Sequence, residues 1–152
     1  MDLEKAPIRS GSNYPEPYDV PCRARKRWRL GMAADLTGFG VNLCRLPPGT
    51  WSSQRHWHSD DDEFVYVLEG EVVLVTNTGE EILRAGDCAG FKAGDGDGHH
   101  LQNRSDRDAV VLEVGTNTPG GEVDYPDIDL RSVASEYVHK DGRPYGTGPR
   151  RT

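Results

Sequence analysis

The sequence lacks long hydrophobic runs, and it has few residues with which to build a large core. Hydrophobic residues make up 35% of the 152 residues, whereas glycine occurs 18 times and proline 10 times. Many turns around a thin core are typical of a small β barrel or sandwich. The length suits one domain, so we expect a single all-β domain.

No apolar stretch approaches the length of a membrane span, and the first residues, MDLEKAPIRSG, contain no hydrophobic signal region. Positive charge is also in deficit, with a net charge of -7. This balance disfavours nucleic acid and anionic membranes as partners. We therefore expect a cytoplasmic protein that binds neither.

One basic stretch, RARKRWRLG, stands out against this background. A nucleic-acid patch is the alternative interpretation, but the acidic whole disfavours it. We expect Trp28 and Leu30 to anchor an edge strand whose arginines face solvent or acids elsewhere on the protein.

The cysteines are too few and too far apart for a disulfide framework. Cys22, Cys44 and Cys88 are odd in number, which suits free thiols in a reducing compartment. Cys44 and Cys88 are interpreted as small buried hydrophobes. No nucleophile and base stand at a known catalytic spacing, so serine or cysteine hydrolysis is not expected, and no catalytic residue is assigned.

The chain divides into three parts by composition. Residues 1–20 are polar and rich in proline and predict an extended N-terminal arm. Residues 21–120 contain a succession of short β segments, among them EFVYVL and EVVLV on either side of Glu69-Gly70, which predicts a tight hairpin. Residues 121–152 predict an extension, helical near residues 132–139 and otherwise irregular, that packs on the barrel or on a partner.

The stretch HWHSDDDE places two histidines and a carboxylate close together. Strand side chains alternate, so His56 and His58 share one face, and Glu63 opens a strand that is otherwise almost wholly apolar. A charged residue there needs a partner, and a cation would provide one. By itself the stretch is also compatible with a solvated surface turn.

A second histidine region changes this balance. In GDCAGFKAGDGDGHHLQN, His99 stands four places before Asn103. Together the two regions resemble the motifs of the cupin superfamily. Gly49, His56, His58, Glu63 and Gly70 match its first motif, and Gly86, Gly94, His99 and Asn103 match its second. Lys92 replaces the usual proline, and the loop between Gly94 and His99 is two residues longer than usual.

The resemblance implies a double-stranded β-helix, that is, a jelly-roll barrel with a metal near one mouth. It implies His56, His58, Glu63 and His99 as ligands of one divalent transition metal, Fe, Mn, Ni, Co or Zn. His100 is a rival for His99 because the loop is longer, but we prefer His99 for its spacing to Asn103. Gln54, two residues before His56, would share the inward face of a continuous strand and is a candidate contact for a bound small molecule.

Function is not fixed by this fold. We expect a metal-dependent enzyme acting on a small oxygen-bearing metabolite, as a dioxygenase, isomerase or lyase. The alternative is a non-catalytic cupin that binds or senses a small molecule. The thin core and the two terminal segments predict a homodimer in which at least one arm lies on the partner's sheet.

Overall fold

The computed structural model describes residues 2–146, and nearly all of its regular structure is β. The only α-helix within these residues, α1, spans Leu30–Ala33. The strands are β1 Ile8–Ser10, β2 Lys26–Arg29, β3 Phe39–Leu46, β4 Trp57–His58, β5 Glu63–Glu69, β6 Glu71–Thr76, β7 Gly79–Arg84, β8 Cys88–Phe91, β9 His100–Gln102, β10 Ala109–Thr116, β11 Val123–Tyr125, β12 Leu130–Val133 and β13 Glu136–Val138. The predicted all-β class is confirmed.

Two antiparallel sheets enclose the core. The larger has the order β1-β2-β3-β10-β5-β8, and the smaller has the order β7-β6-β9. Alternate residues of both sheets point inward, so Val65 and Val67 of β5 meet Val72 and Leu74 of β6 in one buried cluster. This is the thin apolar core that the composition predicted.

The hairpin predicted at Glu69-Gly70 does not form. β5 pairs with β10 and β8, whereas β6 pairs with β7 and β9, so the chain passes from one sheet to the other at Gly70. Gly70 has a φ of 73°, and a Cβ there would lie 2.6 Å from the carbonyl oxygen of Asp108. Glycine is required because the chain turns this corner directly against the backbone of a neighbouring segment.

The N-terminal arm folds onto its own chain. β1 pairs with β2, so β2 is not the edge strand that the sequence predicted. Arg25 is buried and donates hydrogen bonds to the backbone carbonyls of Gly11 and Ser52, which ties the arm to the barrel. This arginine faces neither solvent nor an acid.

The C-terminal extension is a β meander, and the helix predicted over residues 132–139 is wrong. β12 and β13 form a hairpin joined by Ala134 and Ser135, whose φ angles are 49° and 65°. Two consecutive residues with positive φ match the right-handed twist of a hairpin. β11 pairs with β4, so the extension builds onto the strand that carries His58. Part of the predicted extension, residues 147–152, lies outside the described residues.

The outer face of the larger sheet carries one apolar row across all six strands. The cross-strand register aligns, in order, Ile8, Trp28, Leu43, Leu112, Tyr66 and Cys88. Every member is exposed or half-buried. Cys88 is therefore not the buried residue that was expected, and Phe64, beside this outer row, is also exposed.

No helix within residues 2–146 is long and apolar enough to cross a membrane.

Candidate metal centre

The histidines of the two sequence regions meet at one mouth of the barrel. His56 and His99 form an isolated antiparallel bridge, with the amide of each donating to the carbonyl of the other at 3.1 and 2.9 Å. His58 lies in β4 and Glu63 begins β5. Backbone pairing thus places residues from distant parts of the chain around one point.

Three imidazoles converge on the Glu63 carboxylate. Nε2 of His99 lies 2.5 Å and Nε2 of His56 3.5 Å from Oε2, while Nε2 of His58 lies 2.8 Å from Oε1. Ligand atoms of His56, His58 and Glu63 all lie within 4.8 Å of one another. His99 adjoins this group through Glu63 and through its ring, which is 4.8 Å from that of His56.

Backbone carbonyls orient two of these rings. Nδ1 of His56 lies 2.9 Å from the carbonyl oxygen of Gln54, and Nδ1 of His99 lies 3.2 Å from that of Asp97. A neutral imidazole that donates from Nδ1 presents a lone pair at Nε2, which is how metal-binding histidines are usually held. In this form the Nε2 lone pairs of His56 and His99 face a carboxylate oxygen, and a metal ion between them would stabilise the arrangement; a proton on Nε2, which makes the hydrogen bond from His99 to Glu63, is the alternative in the absence of an ion.

The surroundings of His58 also indicate that these residues suit a metal ion. Its Nε2 is buried and has no hydrogen-bond partner, although Glu63 Oε1 is close, because the two atoms are not aligned for a hydrogen bond. Burial would raise the pKa of Glu63, but the charge of His56 and the close approach of the histidine nitrogens outweigh it and hold that pKa well below its usual range. Three nitrogens and one carboxylate suit a divalent transition metal, so these residues fit the ion that the sequence predicted.

His100 is placed apart from this cluster. Its Nδ1 donates to the carbonyl oxygen of Ser53 at 2.8 Å, and its Nε2 lies 3.0 Å from the side-chain nitrogen of Gln102. Burial lowers the pKa of His100 to about 4, so the ring is neutral at pH 7. Both ring nitrogens are already occupied.

Gln54 is also turned away. Residues 52–55 form a bend rather than a strand, so the alternation that placed Gln54 inward does not apply. Its side-chain amide donates to the carbonyl oxygen of Tyr18 in the N-terminal arm, at 2.8 Å. Gln54 does not line the cavity described next.

A cavity of about 250 Å³, the metal-side cavity, opens beside the cluster. Its wall includes Arg27, Asn42, Asp61 and Glu113. Arg27 Nε lies 2.9 Å from Glu113 Oε2, and Arg27 Nη2 lies 3.1 Å from Oε1, so the pair is bidentate. From the sequence, no role in the site was assigned to Arg27, Asn42 or Glu113, although all three follow from inward alternation once the strand pairing is known.

Comparison with known proteins agrees with this geometry. The cupin domain family matches residues 42–115. A crystal structure from Silicibacter pomeroyi DSS-3, described as a sugar phosphate isomerase of the cupin superfamily, is 45% identical, with 97% of this chain and 96% of that one covered and a TM-score of 0.90. The chain belongs to the cupin superfamily.

Two further cupin-like structures differ more. A protein from Acidithiobacillus ferrooxidans, provisionally described as a sugar phosphate isomerase, is 27% identical over 82% of each chain, with a TM-score of 0.73. A Thermotoga maritima protein described as a predicted oxalate decarboxylase is 22% identical over 77% of this chain and 97% of that one, with a TM-score of 0.62, and shares the fold. No curated protein matches the sequence.

In this cupin both terminal segments pack against one side of the candidate metal centre. Tyr14 of the N-terminal arm packs on Tyr125 of β11 and Tyr137 of β13, with ring centroids 5.5 and 5.6 Å away. The ring of Tyr125 lies 5.8 Å from that of His56. Three tyrosines from opposite ends of the chain therefore back one predicted ligand.

Proposed function

We propose that this cupin is a metal-dependent isomerase of phosphorylated sugars. The observation that carries the proposal is the 45% identity, over nearly the whole of both chains, to a protein described as a sugar phosphate isomerase. The cavity beside the predicted ligands supports it, because Arg27, Asn42 and Glu113 in its wall provide convergent polar groups that could contact a small polyol.

His56, His58, Glu63 and His99 would hold the ion. A divalent metal here would supply Lewis-acid polarisation of a substrate oxygen. The same four ligands could bind Fe, Mn, Ni, Co or Zn, so they do not identify the metal.

Interconversion of an aldose and a ketose moves a proton between two neighbouring carbons. A base takes the proton from the carbon next to the carbonyl and returns it to the former carbonyl carbon, and a second proton moves between the two oxygens. Glu113 is suited to the first transfer because its carboxylate lines the cavity and is held in place by Arg27. The pairing restricts the carboxylate to one orientation and compensates its charge in a half-buried setting.

The test is isomerisation in deuterated water. Protein loaded separately with each metal is incubated with phosphorylated aldoses and ketoses, and NMR follows both product formation and deuterium incorporation at the carbon next to the carbonyl. Glu113→Gln should lower kcat by roughly 100-fold or more with metal content unchanged, and His58→Ala should lose metal and activity together.

His139→Ala is the matched control, because this histidine pairs with Asp129 in the C-terminal extension, away from the cavity. It should keep full activity. Absence of turnover and of deuterium exchange with every metal and every substrate would contradict the proposal and favour the alternative, a cupin that binds a small molecule without converting it.

A further inference from the structure

A second cavity of about 190 Å³ adjoins the metal-side cavity and is lined by three arginines, Arg9, Arg27 and Arg29. We call it the arginine cavity. Arg27, Asn42 and Asn117 line both cavities. A molecule bound near the predicted metal ligands could therefore extend into the arginine cavity without leaving the protein's concave surface.

The arginines are brought together by the strand register. Arg27 and Arg29 are two residues apart in β2 and therefore share a face. Arg9 of β1 stands directly opposite Arg27. Trp28 takes the other face, where Arg45 lies over its ring at 5.8 Å. The three guanidinium groups thus belong to the inner side of the sheet.

This arrangement leaves positive charge uncompensated. Arginines directly opposite each other on paired strands repel. Arg27 is neutralised by Glu113, but Arg9 and Arg29 form no ion pair with any residue from 2 to 146, and none of the described residues lining the arginine cavity is acidic. Elsewhere Arg55 and Arg104 pair with carboxylates. A net charge of -7 makes an acid-free cluster of this kind conspicuous.

We propose that the arginine cavity binds the phosphate group of the substrate, as a phosphomonoester dianion. The assignment rests on the proposed function for the sugar part of the molecule. Guanidinium groups match phosphate oxygens in pairs of parallel hydrogen bonds, and two unpaired arginines balance two negative charges.

The volumes and the walls of the two cavities also support placing the sugar in the metal-side cavity and its phosphate in the arginine cavity. The metal-side cavity, at about 250 Å³, is smaller than the roughly 300 Å³ at which ligand pockets usually begin. The arginine cavity adds the missing room. Its remaining wall includes the side chains of Met32, Leu36 and Phe39, which are apolar, partly exposed to solvent and offer no acidic group that would compete with an anion.

Titration calorimetry with inorganic phosphate on the metal-loaded full-length protein tests the proposal. Arg9→Gln and Arg29→Gln should each weaken binding roughly tenfold, because a lost hydrogen bond to a charged group usually has an effect of this size or larger. Lys26→Gln is the matched control: it removes one positive charge from the opposite face of β2 and should leave the affinity unchanged. Circular dichroism melting confirms that each variant is folded.

The metal site offers the competing location for phosphate. His58→Ala should abolish metal loading yet retain phosphate affinity if the arginines form the site. Phosphate binding that is lost in His58→Ala, or that is equal in Arg9→Gln, Arg29→Gln and the wild type, overturns the assignment.

Kinetics separate this inference from the proposed function. In an active protein, Arg29→Gln should raise KM for a phosphorylated sugar about tenfold and leave an unphosphorylated analogue unaffected. Isomerisation with a KM insensitive to both arginines overturns the phosphate assignment and leaves the proposed function standing. Phosphate binding that depends on the arginines, in a protein without isomerase activity, supports the phosphate assignment and contradicts the proposed function.

Discussion

At the scale of single residues, two of the predicted ligands, His56 and His99, are held by contacts other than those with Glu63. His56 and His99 rest on backbone carbonyls, and the ring of His99 also stacks on Phe91 at 3.6 Å. Such contacts fix the ring orientation before any ion arrives, which lowers the entropic cost of binding it.

The two adjacent histidines provide a sharp test of ligand identity. We expect His99→Ala to lose metal, with affinity falling by more than the roughly 10- to 100-fold typical of losing a group that only orients a ligand. His100→Ala should keep near-stoichiometric metal, because both nitrogens of His100 are bonded away from the cluster. Elemental analysis of untagged protein measures both. An empty site in His100→Ala beside a full one in His99→Ala would show that the ligand is His100.

The tyrosine cluster predicts a pH dependence at the alkaline end. Burial raises the pKa of Tyr14, and Tyr137 adds to the effect. Below pH 10 both folded and unfolded chains keep this proton. Above about pH 10 the unfolded chain releases it while the folded chain retains it, so stability falls as pH rises, by about 1.4 kcal/mol per pH unit for each such group.

Urea unfolding between about pH 8 and 11.5 measures this slope. Tyr14→Phe should flatten it, whereas Tyr66→Phe, in the exposed outer row, should not. Identical slopes in all three proteins would show that Tyr14 ionises as easily in the folded state as in the unfolded chain.

Residue patterns predicted the site wherever the local backbone is regular. His-x-His spacing placed His56 and His58 on one side, and both lie at Glu63. The same parity argument failed two residues earlier, at Gln54, because residues 52–55 bend. Arg27 was missed because its inward direction depends on which strands flank β2, and that is set by contacts with distant parts of the chain.

At the scale of elements, strand positions were easier to predict than strand partners. EFVYVL and EVVLV both form strands, yet they belong to different sheets. Nearness in sequence favoured a hairpin, but burial of both inner faces favours a corner at Gly70. The C-terminal hairpin was missed for a related reason: Ala134-Ser135 is an uncommon pair for two positive φ angles, and the packing of β12 on β11 compensates for it.

Gly70 and Gly86 form a matched pair for testing the corner. Both have positive φ, 73° and 95°, but only at Gly70 would a Cβ meet backbone. Gly86→Ala should cost about 1–2 kcal/mol for its backbone conformation. Gly70→Ala should cost about 1–3 kcal/mol more because Asp108 and Ala109 must move. Chemical denaturation compares the two, and equal losses would show that the corner yields without strain.

At the scale of the whole molecule, the apolar row on the outer face of the larger sheet is a candidate interface for the predicted homodimer. The N-terminal arm covers the edge of its own sheet, so an exchange of arms is not required for assembly. The sheet face is exposed instead, with apolar residues aligned across six strands. Continuous apolar surface of this extent is typical of protein–protein contacts.

We expect a dimer at micromolar concentration and a monomer in Tyr66→Glu, because a carboxylate in the middle of an apolar contact loses its hydration. Ile82→Glu is the control, since Ile82 is exposed to a similar degree on β7 of the other sheet and should leave the dimer intact. Light scattering decides. A monomeric wild type would refute the dimer, and dissociation by Ile82→Glu rather than Tyr66→Glu would move the interface to the smaller sheet.

The pairing of β4 with β11 has a consequence for the order of events during synthesis. The strand that carries His58 receives its neighbour from residues 123–125, more than sixty positions later. Until that segment has been made, β4 lacks this neighbour, and the chain lacks Tyr125 and Tyr137, two of the three tyrosines that support His56. A chain truncated after residue 120 should therefore be cut by protease near residues 56–58, whereas the full-length chain should resist. The candidate metal centre is therefore completed among the last events of biogenesis.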